Sequence, residues 1–316
     1  MQLSERIGRR INLRDLHILA EVVQSGSMSK AAKSLAVSTP VVSKTIADLE
    51  HSIGVRLLDR SARGIETTMY GRALLRWSMA AFDDLRQGIK EIEFLADPTV
   101  GKLRIGCHTA MMEVFLPIIH NRLHRNHPRL TFEVTQATWG AALQRELRER
   151  NVDVILGRTE IPIAEDLNPE VLFDDWELVL AGTQNPWQRH RHIELAELMN
   201  EPWILPNQGT EASAIVAETF RACNLEAPGA VVTCNSVQMS NTMVASGPWL
   251  AMLAGAAFRF GPKNPTVKVL PVKLPALTRH VGIITLKGRM ISPVAQLFID
   301  CAREIAKPLA KRKRKG

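Results

Sequence analysis

The chain has 316 residues, of which 46% are hydrophobic and 23% charged, with a formal charge of +8. At roughly 100–200 residues per domain this length suggests two or three units, and the near-average composition excludes intrinsic disorder, a collagen-like fibre and a disulfide miniprotein. The charge is uneven: residues 1–76 carry +5 and residues 307–316 carry +6, leaving −3 for the body between them. Two basic ends around a neutral-to-acidic body point to a polyanion partner at the N-terminal part. Cys107, Cys223, Cys234 and Cys301 are scattered without a C-x-x-C pair, so neither a disulfide framework nor a zinc knuckle is expected. The polar stretch Met1–Arg10 is unlike a signal peptide. The apolar run Trp249–Phe258 is about half of the ~20 residues a membrane helix needs. A soluble protein of a reducing, cytoplasmic compartment with no membrane partner is expected.

Residues 13–68 read as three short helices and a hairpin. Leu16, Leu19, Ala20 and Val23 recur at helical spacing up to Ser25-Gly26. Ser27 can cap a second helix that places Met28, Ala31, Ala32 and Leu35 on one face. Ser38 can cap a third, with Pro40 in its first turn and Val42, Ile46 and Leu49 hidden. Thr39, Ser43 and Lys44 are left facing outward. Two short helices joined so tightly form a helix-turn-helix, whose second helix enters the DNA major groove. Val55–Asp59 and Ile65–Thr67 then read as two strands around a turn with Arg60 and Arg63 at its tip. Such a basic hairpin is a wing placed to meet phosphates or a narrow minor groove.

Thr68 to about Ala96 reads as one long helix. Leu75, Phe82, Ile89 and Ala96 recur every seven residues, with Ser78, Leu85 and Ile92 at the other seam position, which predicts a dimerising heptad. Asp97-Pro98 stops it, and a linker runs to Gly101. From Lys102 strands alternate with helices. Strands are expected near 103–106, 131–135, 153–157, 177–181, 202–205, 230–233 and 281–286. Helices are expected near 111–124, 141–150, 193–199, 211–223, 237–246 and 293–306. This alternation predicts open α/β sheets with helices on their faces. No fixed-period repeat is evident, and Lys307–Gly316 reads as a solvated basic tail able to add non-specific DNA affinity.

In such sheets ligands sit beyond the carboxyl ends of strands, often against helix N-termini. That rule nominates Thr109, Thr138, Arg158, Asn207 and Ser236, alternatively helix caps or satisfied loop residues. Arg158 would select acidic ligands. His120, His124 and His127 at i, i+4 and i+7 lack the acidic or cysteine partners of a zinc site and read as exposed polar positions, so no metal is expected. No G-x-S-x-G, P-loop or G-x-G-x-x-G run anchors an enzyme or a cofactor.

Residues 13–72 also carry a dense family pattern. Ala31-Ala32, Leu35, Val37-Ser38, Pro40, Val42-Ser43, Ile46 and Leu49-Glu50 resemble the N-terminal signature of LysR-type transcriptional regulators. So do Gly54-Val55, Leu57-Leu58, Asp59-Arg60, Arg63-Gly64, Thr68 and Gly71. Short stretches such as Leu103–Gly106 and Asp153–Leu156 extend the resemblance. Position 39 is Thr where the family often has Gln, which bears on the bases read there. Met28 replaces a common Phe and only repacks the core.

The resemblance implies an α/β protein in several parts. They are a winged helix-turn-helix (11–68), a dimerising linker helix and hinge (69–101) and an effector domain similar to periplasmic binding proteins (102–306). The effector domain would have one lobe at about 102–175 and 278–306 and another at about 176–277, followed by the basic tail (307–316). Thr39, Pro40, Ser43, Lys44, Arg60 and Arg63 would contact double-stranded DNA at an interrupted inverted repeat. The protein would act as a dimer or dimer of dimers, with a small-molecule effector between the lobes. The nominated cleft residues, mixed polar with one cation, fit a sugar, a sugar acid or an aromatic acid. The overall resemblance leans toward regulators of sugar or organic-acid uptake or catabolism. The rival readings are a solute-binding protein and an α/β enzyme, each carrying an accessory DNA module.

Overall fold

The computed structural model describes residues 11–61, 64–137, 140–159, 162–261 and 263–310, and the chain divides into two compact units, 1–88 and 89–316. In the first unit α1 (Leu13–Ser25) buries Ile18, Leu19 and Val22. It stops where Gly26 takes a left-handed φ of 63°, which a residue without Cβ adopts freely. The buried stripe is rotated from the one expected, leaving Ala20 and Val23 half-buried. The next two helices are α2 (Met28–Ser34) and α3 (Thr39–Ile53). Ala31 and Ala32 of the one meet Val42, Ile46 and Leu49 of the other in a shared core. Their turn closes with the Val37 amide donating to Ala32 O at 3.0 Å. Ser27 and Ser38 hold the extended N-cap backbone, but neither hydroxyl makes the capping bond expected of it.

A two-stranded antiparallel hairpin follows, β1 (Leu58–Ser61) and β2 (Gly64–Thr67). Its first strand starts three residues later than expected, and Glu50 supplies the reason. The Glu50 Oε1 on α3 accepts the amides of Leu57 and Leu58 at 2.7 and 3.1 Å, which ties this stretch to the helix. Thr68 then joins the hairpin to α4 (Met69–Ala96). Its hydroxyl donates to Arg56 O at 2.7 Å and accepts from the Gly71 amide at 3.0 Å. A Cβ on Gly71 would lie 2.1 Å from Leu57 O, so the helix start passes too close for any side chain.

The 28 residues of α4 extend about 40 Å at 1.5 Å per residue. Ser78, which interrupts the heptad, is buried and donates its hydroxyl to Leu74 O at 2.8 Å. The C-terminal half of the seam is bare: Leu85, Ile89 and Ile92 are 53%, 57% and 63% exposed.

The second unit contains two five-stranded sheets. The first has the order β4 (Arg129–Ala137), β3 (Val100–His108), β5 (Val154–Arg158), β14 (Arg279–Leu286) and β6 (Leu167–Asp175). The first three are parallel, and β14 runs antiparallel to both its neighbours. The second has the order β10 (Ala230–Thr233), β9 (Trp203–Leu205), β11 (Leu250–Ala254), β7 (Glu177–Gly182) and β12 (Val267–Val269). Both sheets are therefore mixed, and β6, β11 and β12 are additions to the strands expected from the sequence. The run Trp249–Phe258 becomes β11 followed by α10 (Gly255–Phe260).

Helices cover these sheets. The helix expected over 111–124 is broken into α5 (Thr109–Val114) and α6 (Leu116–His124), where Pro117 in the first turn removes an amide donor. The remaining ones are α7 (Gly140–Arg148), α8 (Glu211–Arg221), α9 (Val237–Ser246) and α11 (Pro293–Ala310). The helix expected over 193–199 is instead β8 (Ile193–Glu194) and a 3₁₀ turn, with β8 paired in parallel to β13 (Val272–Lys273). One core gathers Leu103, Ile105, Phe115, Ile119, Phe173 and Phe298. Another surrounds Trp203, whose indole N–H donates to Leu198 O at 2.8 Å beside Phe220. Among the described residues no helix is long and apolar enough to cross a membrane.

Candidate nucleic-acid interface and ligand cleft

On α3 the residue types sort by face. Val42, Ile46 and Leu49 are buried, Thr39, Pro40 and Lys44 are exposed, and Ser43 is half-exposed. These last four positions therefore share the outward N-terminal half of the second helix of a helix-turn-helix. Their hydroxyls and ammonium suit base edges and phosphates, and the proline ring suits a thymine methyl. Val41, 41% exposed, joins the same surface and was not singled out from the sequence. Arg60 belongs to β1 opposite Ile65 and not to the hairpin tip, because the strand continues to Ser61. Arg63 lies outside the described residues.

The second unit holds a cavity of about 100 Å³, at the C-terminal ends of β3 and β5 and the N-termini of α5, α8 and α9. Of the five nominated residues, Thr109 and Arg158 line it. Thr109 opens α5, and its hydroxyl accepts from the Gln136 amide group at 2.8 Å. Ser236 lies just off the cavity, and its hydroxyl caps α9 by accepting the Met239 amide at 3.2 Å. Asn207 is exposed, with its amide on Asn235 Oδ1 at 3.1 Å. Thr138 lies outside the described residues.

Arg158 is in the cavity wall but is already engaged by carboxylates. Its Nη2 lies 3.2 Å from Glu177 Oε1, and its Nε lies 4.0 Å from Glu211 Oε1. Burial pushes the Glu177 carboxyl above its ordinary range, against the pull of Arg158. Asp175 is raised for the same reason, although Arg259 pairs with it and the Ala256 amide donates to it at 2.9 Å. Asp175, Glu177 and Glu211 escaped sequence reasoning because they sit on different elements and meet only in the folded chain. Glu211 does carry a local signal, as the first residue of a helix capped by Thr210.

Two of the three spaced histidines, His120 and His127, are half-buried. His120 stacks on His124 at 5.8 Å and is half-buried with its edge on Phe132, and His127 Nδ1 meets Pro98 O at 3.0 Å. The expectation of simply exposed positions is corrected for His120 and His127.

Comparison with known proteins bears directly on this architecture. The family model for the bacterial regulatory helix-turn-helix protein, lysR family, matches residues 13–72, and that for the LysR substrate binding domain matches residues 96–307. The chain belongs to the LysR family of transcriptional regulators. The regulator GbpR of Azospirillum brasilense is 27% identical, with 93% of this chain and 86% of that one covered. The dual regulator GltC of Bacillus subtilis is 25% identical, with 92% and 96% covered. A full-length OxyR variant from Pseudomonas aeruginosa superposes with a TM-score of 0.66 at 20% identity, covering 96% of this chain and 99% of that one. CbnR complexed with its target DNA gives 0.53 at 19% identity, covering 94% and 100%. This LysR-type regulator is thus a DNA-binding transcription factor with an effector-binding domain, and its relatives are regulators and not enzymes.

Proposed function

We propose that this LysR-type regulator acts in the cytoplasm as a homodimer or dimer of dimers on an interrupted inverted repeat. Thr39, Pro40, Ser43 and Lys44 read the major groove, and Arg60 and Arg63 hold the flanking backbone. The observation that carries this reading is the sorting of α3, with its apolar side sealed in the core and its polar N-terminal half outward. The bare seam of α4 supports self-association, since Leu85, Ile89 and Ile92 lie on one stripe of a long helix.

Residues 102–175 with 278–306 form one lobe and residues 176–277 the other, and a small molecule binds in the cleft between them. A ligand with higher affinity for one lobe arrangement shifts the population toward it and changes the spacing of the paired DNA-binding units. Equal affinity for both arrangements would shift nothing. The reading is tested by mobility shift on DNA flanking the regulator's own gene. Ser43→Ala should weaken specific binding by about tenfold, the worth of roughly one base-edge hydrogen bond, while sedimentation still gives the native oligomer. Unchanged affinity would remove Ser43 and its neighbours from the interface.

A further inference from the structure

Glu211 opens α8 in one lobe, but its carboxylate is seated on the other. Its Oε2 accepts the backbone amide of Gly140, the first residue of α7, at 3.2 Å. The same oxygen lies 3.7 Å from His108 Nδ1, while Oε1 lies 4.0 Å from Arg158 Nε. A helix N-terminal amide, a guanidinium and an imidazole together form the set that holds the carboxylate of a bound acid. Here a side chain of the protein occupies that place.

Among the described residues, the other charged groups in and next to the cavity wall are also engaged. Arg158 bonds Glu177, Asp175 pairs with Arg259, and Arg279, which also acts on Glu177, is paired with Glu218 at 2.8 Å. The rest of the lining is largely apolar, including Met111, Val216, Val237, Met252 and Val281. A volume of about 100 Å³ admits only a few heavy atoms beyond this wall.

Resting on the reading that the cleft binds a small molecule, we propose that Glu211 acts as a built-in carboxylate making the cleft selective for a small cationic ligand. Such a ligand carries an ammonium or guanidinium group on a short apolar body. An entering carboxylate would have to evict Glu211 from its partners and would lie beside the carboxyl groups of Glu177 and Asp175. An entering cation meets the carboxyl groups of Glu211 and Glu177. The preference is the reverse of the one Arg158 suggests when read by itself.

The test compares butylammonium, 1-butanol and butyrate, matched in size, by their shift of the unfolding temperature of the full-length protein at constant ionic strength. The same series is run on Glu211→Gln, which keeps an acceptor for Gly140. Butylammonium should stabilise the native protein most. In Glu211→Gln the order should reverse, with butylammonium losing and butyrate gaining about tenfold in affinity. Butyrate stabilising the native protein at least as well as butylammonium, or an order unchanged by Glu211→Gln, overturns the proposal. Binding of 1-butanol with no effect of charge overturns it while leaving the cleft reading in place. No binding of any of the three to either protein overturns both.

Discussion

Asp153 gathers three cations at the start of β5. Arg104 meets it with Nη2 at 2.7 Å and its backbone amide at 3.0 Å, Arg289 at 2.7 Å, and Lys90 of α4 at 3.8 Å. Burial raises its carboxyl, but these bonds outweigh burial and hold it below the ordinary Asp range. A depressed folded value means the stabilisation is complete above the unfolded value and is lost as pH falls through the folded one. Asp153→Asn should therefore lower stability at neutral pH by about 3 kcal/mol, because Arg289 is left buried without its carboxylate. The loss of stability on acidification below about pH 4 should become shallower in the variant. An unchanged acid limb in chemical denaturation would show that Asp153 is not the group responsible. At this scale the sequence was only partly legible. Asp153 stands in a family-like stretch, yet its partners lie 49 and 136 residues away, and no local pattern announces them. Arg158 was visible as a cation at a strand end, but the carboxylates that neutralise it come from β7 and α8.

Elements with a strong period were the most legible. The helix-turn-helix and α4 follow from apolar spacing and from glycine or proline punctuation, which act within a few residues. Short strands such as β12, with three residues, carry too little alternation to be seen, and 193–199 mixes apolar residues at a spacing that serves a strand and a 3₁₀ turn equally well. The exposed stripe of α4 makes a prediction of its own. Ile92 is 63% exposed and contributes little to the core of its own chain. Ile92→Glu should leave the unfolding temperature of the effector unit nearly unchanged, yet shift the protein toward monomer by at least about tenfold, as burying an unpaired charge in a seam is costly. Sedimentation equilibrium checks this, and a variant as oligomeric as the native protein would exclude the C-terminal half of α4 from the interface.

At the scale of the whole molecule, a single chain joins a small helical DNA reader to a ligand-binding unit of two mixed sheets through one continuous helix. Strand alternation made the second unit legible as α/β, because periodicity reports local burial. The strand at β14 was expected, but β6 and the antiparallel pairing of β14 were not legible, because pairing between β14 and β5 joins residues more than 120 positions apart. The same holds for the cavity, whose wall is assembled from both sheets. A LysR-type regulator built this way should convert occupancy of its cleft into a change in how it lies on DNA. The most direct test is a nuclease protection footprint on DNA flanking its own gene, with and without a small-metabolite extract. Two protected patches separated by whole helical turns, with at least one boundary moving when extract is added, are the predicted result. Protection that is absent even at low salt, where phosphate contacts are strongest, would contradict the central claim.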